Sequence, residues 1–282
     1  MVAITQQTLI AEIKRQQALS RSIAADQEAL SSGKKLSTAS QDPQTWVQIS
    51  EIGRAQAQQT AWSANVAYGK TRSAKAESNL DEISNLLARA RELTISASNG
   101  AIGTQDKAAY VTELQSIKTN ISELLNEKDY QGLPVYDDGT AVQVPISRGL
   151  SIDVVGTRQQ ISEGIDVGTG TPMTLDDIFD AAIAAAQGTS AADQTAAVGL
   201  FDSATSHIVL QQSLQGVRAD RLDAAGERLT DVDLTLAERR SGLEDTDLTE
   251  VITSMQGKLL TLEAAQAALA RINRQSLFDL IS

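Results

Sequence analysis

Residues 201–243, FDSATSHIVLQQSLQGVRADRLDAAGERLTDVDLTLAERRSGL, decide the fold. Within them Phe201, Ile208, Gln215, Leu222, Leu229, Leu236 and Leu243 recur every seven residues, with Ala225 and Val232 at the companion position. A seven-residue repeat holds one stripe on one side of an α-helix, and such a stripe is stable only against another helix. The spacing therefore predicts a long helix beginning near Ala191 and a helical partner for it.

The partner is sought upstream. From Gln44 to Asn99 only Gly53 and Gly69 interrupt helical character, and the second half carries Leu80 and Leu87 in one heptad position and Ile83, Ala90 and Ala97 in the other. Its first half, AQAQQTAWSANVAYGKTRSAKA (residues 55–76), is built from small side chains that permit close backbone approach or packing against another chain. Asn99-Gly100 ends this helix. A third is predicted from a cap at Thr104 to about Asn126, with Val111, Leu114, Ile117, Ile121 and Leu125 on one side.

Between Tyr130 and Gly170 the texture changes to Gly, Pro, Val and Ile. Val142, Val144 and Ile146 alternate, as do Leu150, Ile152 and Val154, with Arg148-Gly149 between them, which predicts a two-stranded hairpin. Residues 171–187 read as a short helix capped by Thr174, with Asp176 and Asp177 in its first turn and Leu175, Ile178, Phe179 and Ile183 inward.

Both chain ends carry apolar stripes. At the start, Leu9, Ile13, Leu19, Ile23 and Leu30 fall within a band about 120° wide, predicting one amphipathic helix over residues 4–31. Gly33 is its expected stop, with Lys34 and Lys35 beside its negative end, and Ser37 to Pro43 form a joint in which Pro43 biases Asp42 away from helix. After an acidic joint at Glu244–Asp247, the last helix carries Leu248, Ile252, Met255, Leu259, Leu262 and Leu269, and the chain closes with Leu277 and Phe278 among its last apolar residues. Ordering a terminal arm costs about 1 to 2 kcal/mol per residue in backbone entropy, and each buried large apolar side chain returns about 1.5 to 3. Such arms are marginal alone, so the stripes imply folding on assembly, through pairing with each other and with neighbouring subunits.

The expected fold class is mainly α: a long antiparallel helical bundle or coiled coil formed by the N- and C-terminal halves, with a small β-containing central insert. Its expected segments are an N-terminal arm (1–40), a first helical body (41–135), an outer insert (136–187), a second helical body (188–245) and a C-terminal arm (246–282).

Composition excludes several occupations. Of 282 residues, 36 are Asp or Glu and 24 Lys or Arg, a formal charge of -12, which disfavours phosphate backbones and anionic membranes. There is no cysteine, hence no disulfide or thiolate chemistry, and His207 is the only histidine. The longest strictly apolar run, Ala181–Ala186, is far below the roughly 20 residues that span a bilayer. The start lacks the pattern of a secretory signal peptide. Gly69-Lys70-Thr71 superficially ends like a phosphate loop, but Ala64 stands where its earlier glycine belongs, within a helix. Asp137-Asp138 and Asp176-Asp177 read as turn and helix-start residues, and His207 as a surface or interface side chain. No catalytic, cofactor-binding or metal-binding residues are expected.

Residues 30–43, LSSGKKLSTASQDP, resemble the N-terminal signature of the flagellin superfamily, as do Arg91-Glu92-Leu93 through Asn99-Gly100 and the order of paired terminal helices around an insert. Gln41 departs from it, standing where an acidic residue is common. Pro43 directly after Asp42, the YQGLPVYDDGT stretch (130–140) and the ending Ser276 to Ile281 are similar to the hook–filament junction branch rather than to filament flagellins. The resemblance implies a secreted structural protein, exported by the flagellar type III apparatus without a cleaved signal. It also implies arms forming an inner coiled-coil tube, the insert facing outward, and a chaperone holding the C-terminal arm before export. The implied partners are a neighbouring hook-associated protein, flagellin and copies of the chain itself. Two other readings remain open, a filament flagellin and a carbohydrate- or surface-binding module displayed by the insert.

Overall fold

The computed structural model describes residues 2–99 and 103–278, with side chains described for 10–99 and 103–271. Its elements are α1 (Val2–Ser32), α2 (Pro43–Ala97), α3 (Thr104–Leu125), β1 (Val142–Ser147), β2 (Leu150–Val155), α4 (Arg158–Ser162), α5 (Leu175–Gln187), α6 (Ala191–Glu244) and α7 (Leu248–Phe278). The chain is mainly α with one antiparallel two-stranded sheet among the described residues. It divides into two compact units, one of residues 58–232 and the other of residues up to 57 together with those from 233.

In the 58–232 unit, α2 and α6 run antiparallel. Arg91 pairs with Asp202 at 2.6 Å, Gln212 donates to Asp81 at 2.8 Å, and Lys70 meets Asp223 at 2.6 Å, so positions fall along α6 as they rise along α2. The heptad residues Leu80, Ile83, Leu87 and Ala90 of α2 and Phe201, Ile208 and Leu222 of α6 are buried, together with Leu114, Ile117 and Ile121 of α3. Gln215 occupies the same stripe and is also buried. Phe179 of α5 meets Phe201 edge-on, with ring centroids 5.1 Å apart. Lys118 of α3 pairs with Asp180 of α5 at 2.6 Å.

The hairpin pairs Val144 with Ile152 and Ser147 with Leu150, and Gly149 at φ +76° supplies the left-handed turn. Its inner residues Val144, Ile146, Ile152 and Val154 are buried. Pro145 lacks a ladder donor and faces outward, where its carbonyl accepts from Asn65 Nδ2 at 3.0 Å. The sheet approaches the helices so closely that a Cβ on Gly69 would lie 3.2 Å from both Leu222 and Val144.

The loop after α3 is fixed by a buried polar cluster. Asp129 accepts from the Tyr68 hydroxyl at 2.8 Å and from the backbone N–H groups of Gln131 and Leu133, and it faces Arg72 at 3.5 Å. Arg72 in turn donates to Tyr68 and to the carbonyls of Pro134 and Val135. Burial pushes the Asp129 carboxyl up, but the Tyr68 and backbone hydrogen bonds and the Arg72 charge outweigh it, leaving its pKa below the usual value.

Two local expectations need correction, and one helix was not anticipated. α3 starts from Gly103 as N-cap with no side-chain cap, so Thr104 is its first helical residue. The short helix begins at Leu175 rather than near 171: Thr174 forms a capping box with Asp177, and residues 171–174 are not helical. A helix that periodicity did not signal, α4, is started by a second capping box between Thr157 and Gln160. His207 is half-buried, with Nε2 2.9 Å from the Gln160 carbonyl.

Candidate functional site

The unit built from the chain ends is organised by its joints. Asp42 is the N-cap of α2: its Oδ1 accepts from the backbone N–H groups of Gln44 and Thr45, each at 3.1 Å, and its Oδ2 accepts from the Thr45 hydroxyl at 2.6 Å. The Thr45 hydrogen bonds hold its carboxyl below the ordinary carboxylate range. Pro43 follows as the first helical residue, the position where its missing N–H costs nothing. Gln41 Oε1 accepts from the backbone N–H groups of Ser37 at 2.7 Å and Thr38 at 3.2 Å. An amide oxygen thus closes the loop, supplying the same kind of acceptor that a carboxylate would.

Gly33 takes φ +70°, as a residue ending a helix in the left-handed region should. Its carbonyl accepts from Thr246 N–H at 3.0 Å, and the next peptides continue the pairing, with Lys35 N–H donating to the Glu244 carbonyl at 2.8 Å and Lys34 bridging Asp245 antiparallel. The two lysines, expected beside the end of α1, instead serve the end of α6. Lys34 Nζ lies 3.4 Å from Glu244, and Lys35 Nζ donates to the Gly242 carbonyl at 3.2 Å. Arg240 grips Glu244 with two hydrogen bonds, at 3.0 and 3.2 Å, and reaches Gln56 of α2 at 3.2 Å. Those bonds keep the Glu244 carboxyl below its usual range, with Lys34 adding to the effect. Asp247 caps α7 through the N–H groups of Thr249 and Glu250. Sequence reasoning singled out Gly33, Asp42 and Pro43 but missed Arg240 and the strand-like clasp, whose only sequence signal was the density of charge on both sides.

Beyond the clasp, α1 and α7 pair antiparallel, with Lys258 Nζ 2.9 and 2.7 Å from the two oxygens of Asp26. Of the predicted arm residues, Ile23 alone is buried among the described side chains; Leu19, Leu30, Met255, Leu262 and Leu269 are half-buried. Ile13, Leu248, Ile252 and Leu259 are exposed, as are Ile10 and Leu260, the last at 69%. Leu9, Leu277 and Phe278 lie outside the described side chains. Two helices thus cover only part of their own apolar surface.

Among the described residues no group of acidic or histidine side chains is placed to hold a metal ion, and no helix is long and apolar enough to cross a membrane. The described chain ends pair as two helices that leave apolar surface uncovered, and the other unit is helical with a small sheet. Residues 4–140 match the bacterial flagellin N-terminal helical region and residues 198–281 the bacterial flagellin C-terminal helical region, and the chain belongs to the flagellin family.

Flagellar hook-associated protein 3 of Escherichia coli (strain K12) is 26% identical over 202 residues, a match spanning 70% of this chain and 63% of that protein, under two thirds of its length. Flagellin of Listeria monocytogenes serovar 1/2a is 22% identical over 267 residues, 91% of each chain. A solved chain from Vibrio parahaemolyticus described as a flagellar hook-associated protein superposes with a TM-score of 0.65 at 21% identity, covering 73% of this chain and 100% of that one, which is a likeness of fold.

Proposed function

We propose that this chain is a non-enzymatic structural subunit of the bacterial flagellum that joins hook to filament, with terminal arms that complete their folding on assembly. The observation that carries the reading is the half-covered state of the arms: α1 and α7 are clasped together, yet Ile13, Ile252, Leu259 and Leu260 remain open to further helices. The assembly interface is assigned to Leu9, Ile13, Leu19, Ile23 and Leu30 on one arm. On the other it comprises Leu248, Ile252, Met255, Leu259, Leu262, Leu269, Leu277 and Phe278. The junction role is favoured over bulk filament by Pro43 after Asp42 and by the two hook-associated proteins among the three relatives above, while the Listeria flagellin makes a filament subunit the alternative outcome of the test. In this role the chain leaves the cell through the flagellar export apparatus and meets a hook-associated neighbour, flagellin and its own copies. A chaperone covers the C-terminal arm beforehand.

The test is immunogold labelling of isolated intact flagella with an antibody to the insert. A single cluster where hook meets filament is the expected result, whereas label along the whole filament assigns a flagellin. Removal of residues 248–282 is expected to abolish incorporation, and normal incorporation of that truncation overturns the role given to the arms.

A further inference from the structure

The 58–232 unit holds a cavity that the assembly role does not use. It has a volume of about 460 Å³ and lies between the loop Leu133–Ala141 and the start of β1, where Arg72 of α2 also lines it. Arg72 is 5% exposed, whereas the loop and strand residues around the cavity are exposed or half-buried, so the arginine forms its closed end. The terminal nitrogens of Arg72 are engaged, one with the Tyr68 hydroxyl and the other with the Pro134 and Val135 carbonyls. Its Nε–H is buried and has no acceptor. A buried donor in that state is costly until something supplies an oxygen.

The rim offers the complementary groups. Asp137 accepts from the Asp138 N–H through Oδ1 at 2.7 Å, which leaves Oδ2 open. Gln143 donates from Nε2 to Asp153 at 2.6 Å, which leaves its side-chain oxygen open, and the Thr140 hydroxyl has no partner among the described residues. One buried donor thus faces three oxygens that can accept, of which the hydroxyl can also donate. Leu133, Pro134 and Val142 add apolar wall. The loop is fixed in advance, with Val135 N–H donating to the Glu127 carbonyl at 2.8 Å and Arg158 N–H to the Asp137 carbonyl at 2.9 Å, so a ligand need not order it.

Charge and hydrogen-bond balance select the occupant. The Arg72 charge is already matched by Asp129 at 3.5 Å, and Asp137 places a further negative charge at the rim, so an anion is disfavoured. A cation satisfies the rim oxygens but offers nothing to the Arg72 Nε–H, and an apolar molecule leaves both ends unpaired. Hydroxyl groups accept and donate at once. We infer that this cavity binds a neutral sugar, one hydroxyl oxygen accepting from Arg72 Nε, other hydroxyls donating to Asp137 and Gln143, and the C–H face of the ring lying against Leu133 and Val142. The volume falls within the roughly 300–1,000 Å³ of small-molecule sites and is many times the roughly 30 Å³ share of a single water. A free sugar and the end residue of a glycan present the same chemistry. The site goes beyond the assembly role and holds whether the subunit belongs to junction or filament.

The test applies the full-length chain to an array of immobilised neutral and anionic glycans, and then titrates it by calorimetry with the methyl glycosides of the terminal residues that bind. Binding to neutral pyranosides is expected. It should weaken at least tenfold in Asp137→Ala, and in Ala141→Trp, which fills the cavity, with circular dichroism unchanged. Where either variant fails to fold, Thr140→Val and Gln143→Ala alter exposed positions of the same rim and read the same loss. Binding of the methyl glycoside supports a site for a free sugar, and binding of the glycan alone supports a site for a glycan end. No binding at millimolar sugar leaves the cavity to solvent and overturns the inference. Binding confined to anionic glycans overturns it as well, as does binding that the folded cavity variants leave intact.

Discussion

Gln215 of α6 donates from Nε2 to the Ser73 hydroxyl of α2 at 2.8 Å, in a largely apolar seam that also buries Thr94 and Gln211. The same amide reaches the Val154 carbonyl of β2 at 2.8 Å, and its oxygen accepts from Arg218 at 3.4 Å. One buried side chain therefore ties two long helices and the hairpin at a single register. Sliding either helix by a turn would strand these groups without partners.

Gln215→Leu is accordingly expected to destabilise the chain by about 1–3 kcal/mol in urea denaturation, because a buried hydroxyl and a carbonyl lose their donor. Adding Ser73→Ala should recover part of that loss, since removing both partners costs less than orphaning one. A Gln215→Leu variant more stable than the wild type would show that the seam does not depend on this amide.

Gly69 offers a test of close packing. Alanine favours a helix interior over glycine by about 1 kcal/mol, yet a Cβ here would press at 3.2 Å on Leu222 and Val144, and overpacking costs about 1–3 kcal/mol. Gly69→Val is expected to lower the melting temperature clearly. At Gly216 of α6 nothing lies within 4 Å, so Gly216→Ala should raise stability by about 0.5–1 kcal/mol. Equal effects at the two sites would refute the close approach of sheet and helix.

Acid should act through Asp129. Its folded pKa is lowered, so its ionised form stabilises the native state. That contribution is complete above the unfolded value of about 3.9 and fades as pH falls through the lower folded value. Urea midpoints measured at neutral pH and near pH 3 should therefore fall further for the wild type than for Asp129→Asn. At neutral pH the variant should be less stable by about 3 kcal/mol, because Arg72 keeps its buried charge without the matching anion.

The arms should exchange amide hydrogens quickly in the isolated subunit over residues 10–31 and 248–271, and slowly after assembly, as expected for a helix pair with little buried surface. Strong protection in the monomer would mean that the arms are already fully covered.

At the clasp, Gly33 needs its left-handed backbone but has open space around it. Gly33→Ala should cost about 1–2 kcal/mol of strain, and Gly33→Asn less, because asparagine tolerates that region. Proteolysis at Lys34 and Lys35 reads the difference.

Much of this architecture was legible because it rests on period. The heptads of α2 and α6, the alternation of Val144, Ile146, Ile152 and Val154, and the cap at Thr174 all encode their partners locally. The rest depends on contacts that no local pattern records. Residues 158–162 are too few to show a period, and only the reciprocal Thr157–Gln160 bonds make them helical. Val232 continues the heptad and is nevertheless 38% exposed, because a repeat specifies a face and not what covers it. Lys34 and Lys35 were legible as helix-end cations, but the helix they serve comes from the other end of the chain.

That last pairing bears on synthesis. Lys35 and Gly242 are 207 positions apart, so the peptides that fasten the first helix leave the ribosome long after it does. Until those residues are made, α1 is a long amphipathic segment whose mate in its own chain does not yet exist. The clasp cannot close before Thr246 is made, and a nascent chain arrested before that point would present a free, sticky helix to whatever else the cell is making.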